Sequence, residues 1–163
     1  MEGWGIDIAK EYLKFSAAHF LIFPDGSAER LHGHNYRVYV ELEGDLTECG
    51  LVLDFTAVKP VVREIVDRLD EHWLLPGEHP ELTIEMTDGL CEVRYRERYY
   101  ASPEQDVIVL PINNTSSENL AAYVGRELLG VLQSRFPQLL LSGLRVAVEE
   151  TLGQRGVWRF RKD

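Results

Sequence analysis

Basic residues are scarce: 17 lysines and arginines face 27 aspartates and glutamates in 163 residues, a formal charge of -10. Duplex nucleic acid and anionic membranes are bound by clustered Lys and Arg that neutralise phosphates, so neither is expected as a partner. Cysteine is almost absent. Cys49 and Cys91 form no CxxC pair and supply no disulfide framework, which suits a reducing, cytoplasmic setting. Nor is there an apolar run of the roughly 18–20 uncharged residues that a membrane span needs. Glu2, Asp7 and Glu11 precede the first apolar run, whereas a secretory signal opens with a basic region, so the N-terminus is expected to be mature structure of a soluble chain. Internal repeats, low-complexity tracts and dividing linkers are missing too, and 1–163 is expected to form one domain with a single sizeable core.

What is present is periodic. Val58, Val61, Val62, Ile65, Val66 and Leu69 recur at three- and four-residue steps between Thr56 and Leu69, which predicts an amphipathic helix. Thr115 and Glu118 have capping-box spacing ahead of the apolar face Leu120, Ala121, Val124, Leu128, Leu129 and Leu132, which predicts a second helix ending near Phe136-Pro137. His34 to Glu43 alternates Tyr36, Val38, Val40 and Leu42 with polar residues, as a half-buried strand does. Leu144, Val146 and Val148, then Val157 to Arg161 after a Gly153–Gly156 turn signal, predict a closing hairpin. Between the helices, Glu92–Tyr100 and Val107–Ile112 fit an added hairpin. The order is α+β, with helices covering one face of a mostly antiparallel sheet. Such a sheet has free edges, which closed assembly into a barrel would remove.

Five regions carry chemistry. His32 and His34, two apart in an extended HGH segment, leave the same face of a strand, and His19 lies shortly before them. Imidazole nitrogens suit Zn²⁺, and three protein ligands with one open position is the usual catalytic zinc arrangement; polar histidines at a strand edge are the plainer alternative. Glu71-His72 is either an oriented proton shuttle or a solvated helix end. Glu118 is either a capping residue or a ligand group. Of Glu149 and Glu150, alternation turns one inward, where it needs either a local arginine or a ligand rich in N–H donors. Glu29 stands before HGH as either a loop carboxylate or a base.

In order along the chain come FSAAH (15–19), LHGHNY (31–36), GLVLDF (50–55) followed by Lys59, EHWLL from 71, SSENLA (116–121) and ETLG (150–153). This ordered set resembles the 6-pyruvoyltetrahydropterin synthase and 6-carboxytetrahydropterin synthase family over nearly the whole chain. The resemblance implies a tunnelling fold: a four-stranded antiparallel sheet, two helices on one face, and trimers, commonly paired into hexamers, whose sheets join into a barrel. It implies zinc held by His19, His32 and His34, and a dihydropterin ring recognised by Glu150 with Ser116, Ser117 and Glu118. The implied chemistry is proton removal from a dihydropterin side chain whose hydroxyls sit on the metal.

Two departures qualify it. Much of the family places a cysteine a few residues before HGH, and 23–31 contains none; Glu29 stands there instead, similar to the branch in which glutamate replaces that cysteine. For that branch the implied reaction is cleavage of dihydroneopterin triphosphate to 6-hydroxymethyl-7,8-dihydropterin, a folate or methanopterin precursor step. The competing implications are formation of a 6-pyruvoyl product or of 6-carboxytetrahydropterin for queuosine synthesis, and a non-catalytic pterin- or purine-binding module. The family's Asp-His pair is represented by Glu71 beside His72 with Asp70 preceding, so either carboxylate is a candidate to orient His72. The insertion from about Leu82 to Asp106 is larger than in compact members.

Overall fold

The computed structural model describes residues 2–162. Strand β3 (His32–Gly44), the longest, buries Tyr36, Val38, Val40 and Leu42 as the alternation requires. It pairs antiparallel with β2 (Lys14–His19) on one side and with β9 (Leu141–Thr151) on the other, and β10 (Gln154–Arg161) closes on β9. These four strands are the antiparallel unit expected from the sequence. β3 is long enough to take a further partner on the β2 side: β1 (Trp4–Ile8) pairs with residues 40–44, beyond the part that β2 occupies.

The sheet does not stop at four strands. β4 (His72–Pro76) adds to β2 in parallel, and β8 (Val107–Leu110) adds to β4 in parallel, giving a seven-stranded mixed sheet. The expectation of a four-stranded antiparallel sheet is corrected on this point. The reason lies in strand direction: β4, reached from β3 through helix α1 (Phe55–Asp67), runs opposite to β3, and since β2 also runs opposite to β3, β4 joins β2 in parallel. In β4 residues 73–76 are all buried, so the segment shows no alternation from which its place could be read.

Both helices pack on one face. Val58, Val61, Val62, Ile65 and Val66 of α1, with Leu120, Ala121, Val124, Leu128 and Leu132 of α2 (Ser117–Arg135), share one core with Phe15, Tyr36, Val38, Val40, Leu144, Val146 and Val148 of the sheet. Burial of this face holds α1 together despite Pro60 within it, which removes one backbone donor. α1 starts at Asp54, whose carboxylate accepts from the Thr56 N–H at 2.7 Å. α2 is capped by Ser116, which accepts from the Asn119 N–H at 3.3 Å. The cap therefore lies one residue after Thr115, because Thr115 is buried and its hydroxyl donates to the Phe20 carbonyl. α2 ends at Arg135, immediately before Phe136-Pro137.

The insertion is a three-stranded antiparallel sheet rather than a hairpin: β5 (Thr83–Thr87), β6 (Leu90–Tyr95) and β7 (Arg98–Pro103). It encloses a second core, in which Cys91, Val93 and Tyr95 pack with Phe20, Ile22, Trp73, Leu75 and Val107.

Gly156 of β10 passes so close to the start of α2 that a Cβ there would stand 2.1 Å from the Glu118 nitrogen. Backbone cannot yield as a side chain does. Gly156→Ala is expected to destabilise the chain by about 1–3 kcal/mol, the cost of forced overpacking, measured as a lower urea midpoint at unchanged slope.

Candidate metal centre and active site

The pairing of β2 with β3 sets His19 opposite His32, and the two-residue period of β3 turns His34 to the same face. The three imidazoles converge, each offering a ring nitrogen within 4.8 Å of the others. The Nε2 atoms of His32 and His34 are 3.0 Å apart.

Backbone carbonyls orient two of the rings. His19 Nδ1 lies 3.0 Å from the Thr115 carbonyl, and His32 Nδ1 lies 2.7 Å from that of Arg30. A carbonyl only accepts, so each Nδ1 carries the proton and each Nε2 presents a lone pair to the cluster. His19 is fully buried, and its pKa is lowered to about 4, chiefly by burial, with the Thr115 bond opposing and the other two histidines reinforcing the shift. It is neutral at physiological pH, as a metal ligand must be. Its Nε2 is buried without a hydrogen-bond partner. An orphaned buried nitrogen facing two further imidazoles fits a transition-metal ion of the kind that imidazole favours.

Carboxylates flank the cluster on two sides. Glu150 Oε1 stands 3.3 Å from His19 Nε2 and 3.6 Å from His34 Nε2. Glu29 Oε2 stands 3.8 Å from His32 Nε2 and accepts from the Leu21 N–H at 3.1 Å. The adjacent glutamates of β9 divide their work as strand alternation demands. The side chain of Glu149 is buried and takes the local arginine: Arg155 donates to it at 2.7 Å and stacks over Tyr39, whose hydroxyl also donates to Glu149. The Arg155 bond, assisted by Gly153 and Tyr39, lowers the Glu149 pKa. Among the described residues Glu150 pairs with no arginine and faces the histidines.

His72 begins β4 and is not at a helix end, since α1 stops at Asp67. With His34, Trp73 and Glu71 it lines an open groove of about 460 Å³. Its partner differs from the expected pair. His72 Nδ1 lies 2.6 Å from the Asp70 main-chain carbonyl, while the Asp70 carboxylate accepts from the Ser16 N–H at 2.7 Å. Among the described residues neither the Asp70 nor the Glu71 carboxylate pairs with His72. Glu71 turns the chain with a left-handed φ of 58° and donates its N–H to Ser16.

Ser116, Ser117 and Glu118 form the start of α2, directly after the Thr115 that holds His19. Thr115 and Tyr36 are the participants that sequence reasoning passed over. Thr115 acts through its main chain, which leaves no side-chain signal. Tyr36 has its ring edge-on to His19 and His34, at 5.8 and 5.6 Å between centroids, and its hydroxyl is buried. Burial and the nearby Glu150 raise its pKa. Its alternation with other core residues of β3 disguised it as packing alone.

Known proteins resemble this chain in sequence and in fold. A Methanocaldococcus jannaschii protein provisionally named 6-carboxy-5,6,7,8-tetrahydropterin synthase is 34% identical over 149 residues, covering 90% of each chain. The Haemophilus influenzae 6-carboxy-5,6,7,8-tetrahydropterin synthase is 38% identical over 72 residues, 41% of this chain and 50% of that one. A solved structure of Plasmodium vivax 6-pyruvoyltetrahydropterin synthase, a mutant in which a glutamate described as a catalytic residue is replaced by alanine, superposes with a TM-score of 0.93 at 26% identity, covering 99% of this chain and all of that one. Residues 7–158 match the family model described as 6-pyruvoyl tetrahydropterin synthase, and with these likenesses the chain belongs to the 6-pyruvoyl tetrahydropterin synthase family.

Proposed function

We propose that this chain is a zinc-dependent lyase that cleaves the side chain of a 7,8-dihydropterin, with dihydroneopterin triphosphate as substrate and 6-hydroxymethyl-7,8-dihydropterin as product. The observation that carries the reading is Glu29: the carboxylate, held by the Leu21 N–H, stands beside the three-histidine cluster where no cysteine precedes HGH. The catalytic glutamate of the Plasmodium vivax enzyme supports it. His19, His32 and His34 would hold the zinc, which as a Lewis acid would make the substrate's side-chain hydroxyls more acidic.

Glu29 takes the proton of the side-chain hydroxyl on the second carbon from the ring. As that oxygen becomes a carbonyl, the bond between the first and second side-chain carbons breaks. Its electron pair passes to the first carbon, conjugated with the pterin C=N bond, and a proton returned there completes 6-hydroxymethyl-7,8-dihydropterin and releases glycolaldehyde triphosphate. His72, lining the groove beside His34, is placed to relay protons to solvent. Glu150 accepts two hydrogen bonds from the pterin amino group and ring N–H, with Ser116, Ser117 and Glu118 completing the ring pocket. Asp70 and Glu71 shape the turn into β4 and take no proton in this scheme. The chain works as a homo-oligomer, trimer or hexamer, in the cytoplasm; the open edges at β10 and β8 favour sheets joining between subunits.

A second reading, 6-carboxytetrahydropterin formation, is favoured by the names of the sequence relatives. Products separate the two after incubation of zinc-loaded protein with 7,8-dihydroneopterin triphosphate: glycolaldehyde triphosphate accompanies the first, acetaldehyde with inorganic triphosphate the second. Mass spectrometry that finds acetaldehyde and no 6-hydroxymethyl product overturns the lead reading.

Glu150→Gln replaces a charged acceptor by a neutral one without changing shape. Pterin affinity is expected to fall about 10- to 100-fold, the worth of charge-assisted hydrogen bonds, with zinc content unchanged. Native affinity measured by calorimetry would remove Glu150 from ring recognition.

A further inference from the structure

The segment carrying Glu29 is a small hairpin of its own. Phe23 N–H donates to Ser27 at 2.8 Å, Glu29 N–H donates to Leu21 at 2.9 Å, and Ile22 bridges to Ala28 across a turn at Gly26. Several of its carbonyls are left over. The tip of the β6–β7 hairpin takes them up: the Tyr95 hydroxyl donates to the Gly26 carbonyl at 2.8 Å, and Arg98 sends one guanidinium nitrogen to the Ala28 carbonyl at 2.6 Å and another to that of Glu29. A planar guanidinium with two nitrogens on consecutive carbonyls fixes both position and orientation of that backbone, which an ammonium does not. The gripped residue is the one whose carboxylate stands by the metal cluster.

We infer that Arg98 is a positioning residue, and that the inserted sheet β5–β7 acts as a jaw whose tip holds the Glu29 hairpin and so aims the base. The inference rests on the reading of Glu29 as base. It gives the insertion a task at the site, although no insertion residue lies among the metal-ligating or ring-binding groups. Arg98→Met keeps the apolar stem and removes the fork; Arg98→Lys keeps charge and one donor.

Two measurements test it. Amide hydrogen exchange needs no substrate: the Glu29 amide, bonded to Leu21, is expected to exchange at least about 10-fold faster in Arg98→Met, while β9 and α2 stay protected. Unchanged exchange at Glu29 overturns the jaw whatever the reaction. In turnover of 7,8-dihydroneopterin triphosphate, kcat is expected to fall about 10- to 100-fold for Arg98→Met at near-native KM and zinc content, with Arg98→Lys intermediate. Combined with Glu29→Gln, Arg98→Met is expected to add almost nothing, because the group it positions is already gone. Full additivity overturns the inference. An inactive Glu29→Gln beside a fully active Arg98→Met leaves the base and rejects the jaw; equal activity of native protein and Glu29→Gln rejects the base itself.

Discussion

Protein carrying His32→Ala is expected to retain almost no zinc. Three imidazoles define the candidate site, two of them aimed by carbonyls at Thr115 and Arg30. Disturbing a partner that merely orients a ligand typically costs about 10–100-fold in metal affinity, so deleting a ligand outright should cost more than about 100-fold. His32 is the informative choice among the three because its side chain is 37% exposed and the core does not depend on it. His19, by contrast, is fully buried and bonded to Thr115, so its loss would also damage the packing. Elemental analysis of protein purified without chelator, beside a circular dichroism spectrum, separates metal loss from unfolding. Native zinc content in folded His32→Ala would show that the cluster is not the metal site.

Glu29→Gln is expected to lower kcat by about 10²–10⁴-fold, the usual contribution of a positioned general base, and to leave zinc binding intact. Glutamine has nearly the same shape, and its carbonyl oxygen can still accept the Leu21 N–H that glutamate accepts here. Hairpin geometry should therefore survive while the proton acceptor disappears. Retention of the zinc matters to the interpretation: Glu29 stands 3.8 Å from His32, near enough to influence the ligand, and a variant that lost both metal and activity would say nothing of proton transfer. The measurement is single-turnover formation of 6-hydroxymethyl-7,8-dihydropterin by zinc-loaded protein. A rate equal to native would reduce Glu29 to a loop carboxylate and move the base to His72, which lines the groove with His34.

Local periodicity carried far. The alternation from Tyr36 to Leu42 specifies β3 and its buried face, and the steps from Val58 to Val66 specify the buried face of α1. Spacing in HGH puts His32 and His34 on one side of a strand, because successive side chains of an extended chain point to opposite faces. Order along the chain, from FSAAH to ETLG, was enough to indicate the family to which the chain belongs.

Other features have no local signature. Whether a short apolar run such as 73–76 or 107–110 pairs parallel or antiparallel depends on which strand it joins, and buried runs look alike in either direction. The cap of α2 fell to Ser116 because tertiary contact recruited Thr115 to Phe20 and His19, which sequence spacing cannot foresee. His72 takes the Asp70 main-chain carbonyl, while the Asp70 carboxylate takes the Ser16 N–H from a strand 54 residues away. Arg98, 69 residues from Glu29, meets it only because the second core folds the inserted sheet back over Phe20 and Ile22. Periods of two and of three to four residues were legible in β3, the β9–β10 hairpin and both helices, and with them the residue types able to hold a metal. Which carboxylate faces the histidines, and that Thr115 holds His19, follow from the folded arrangement, because those partners are donors and acceptors distant along the chain.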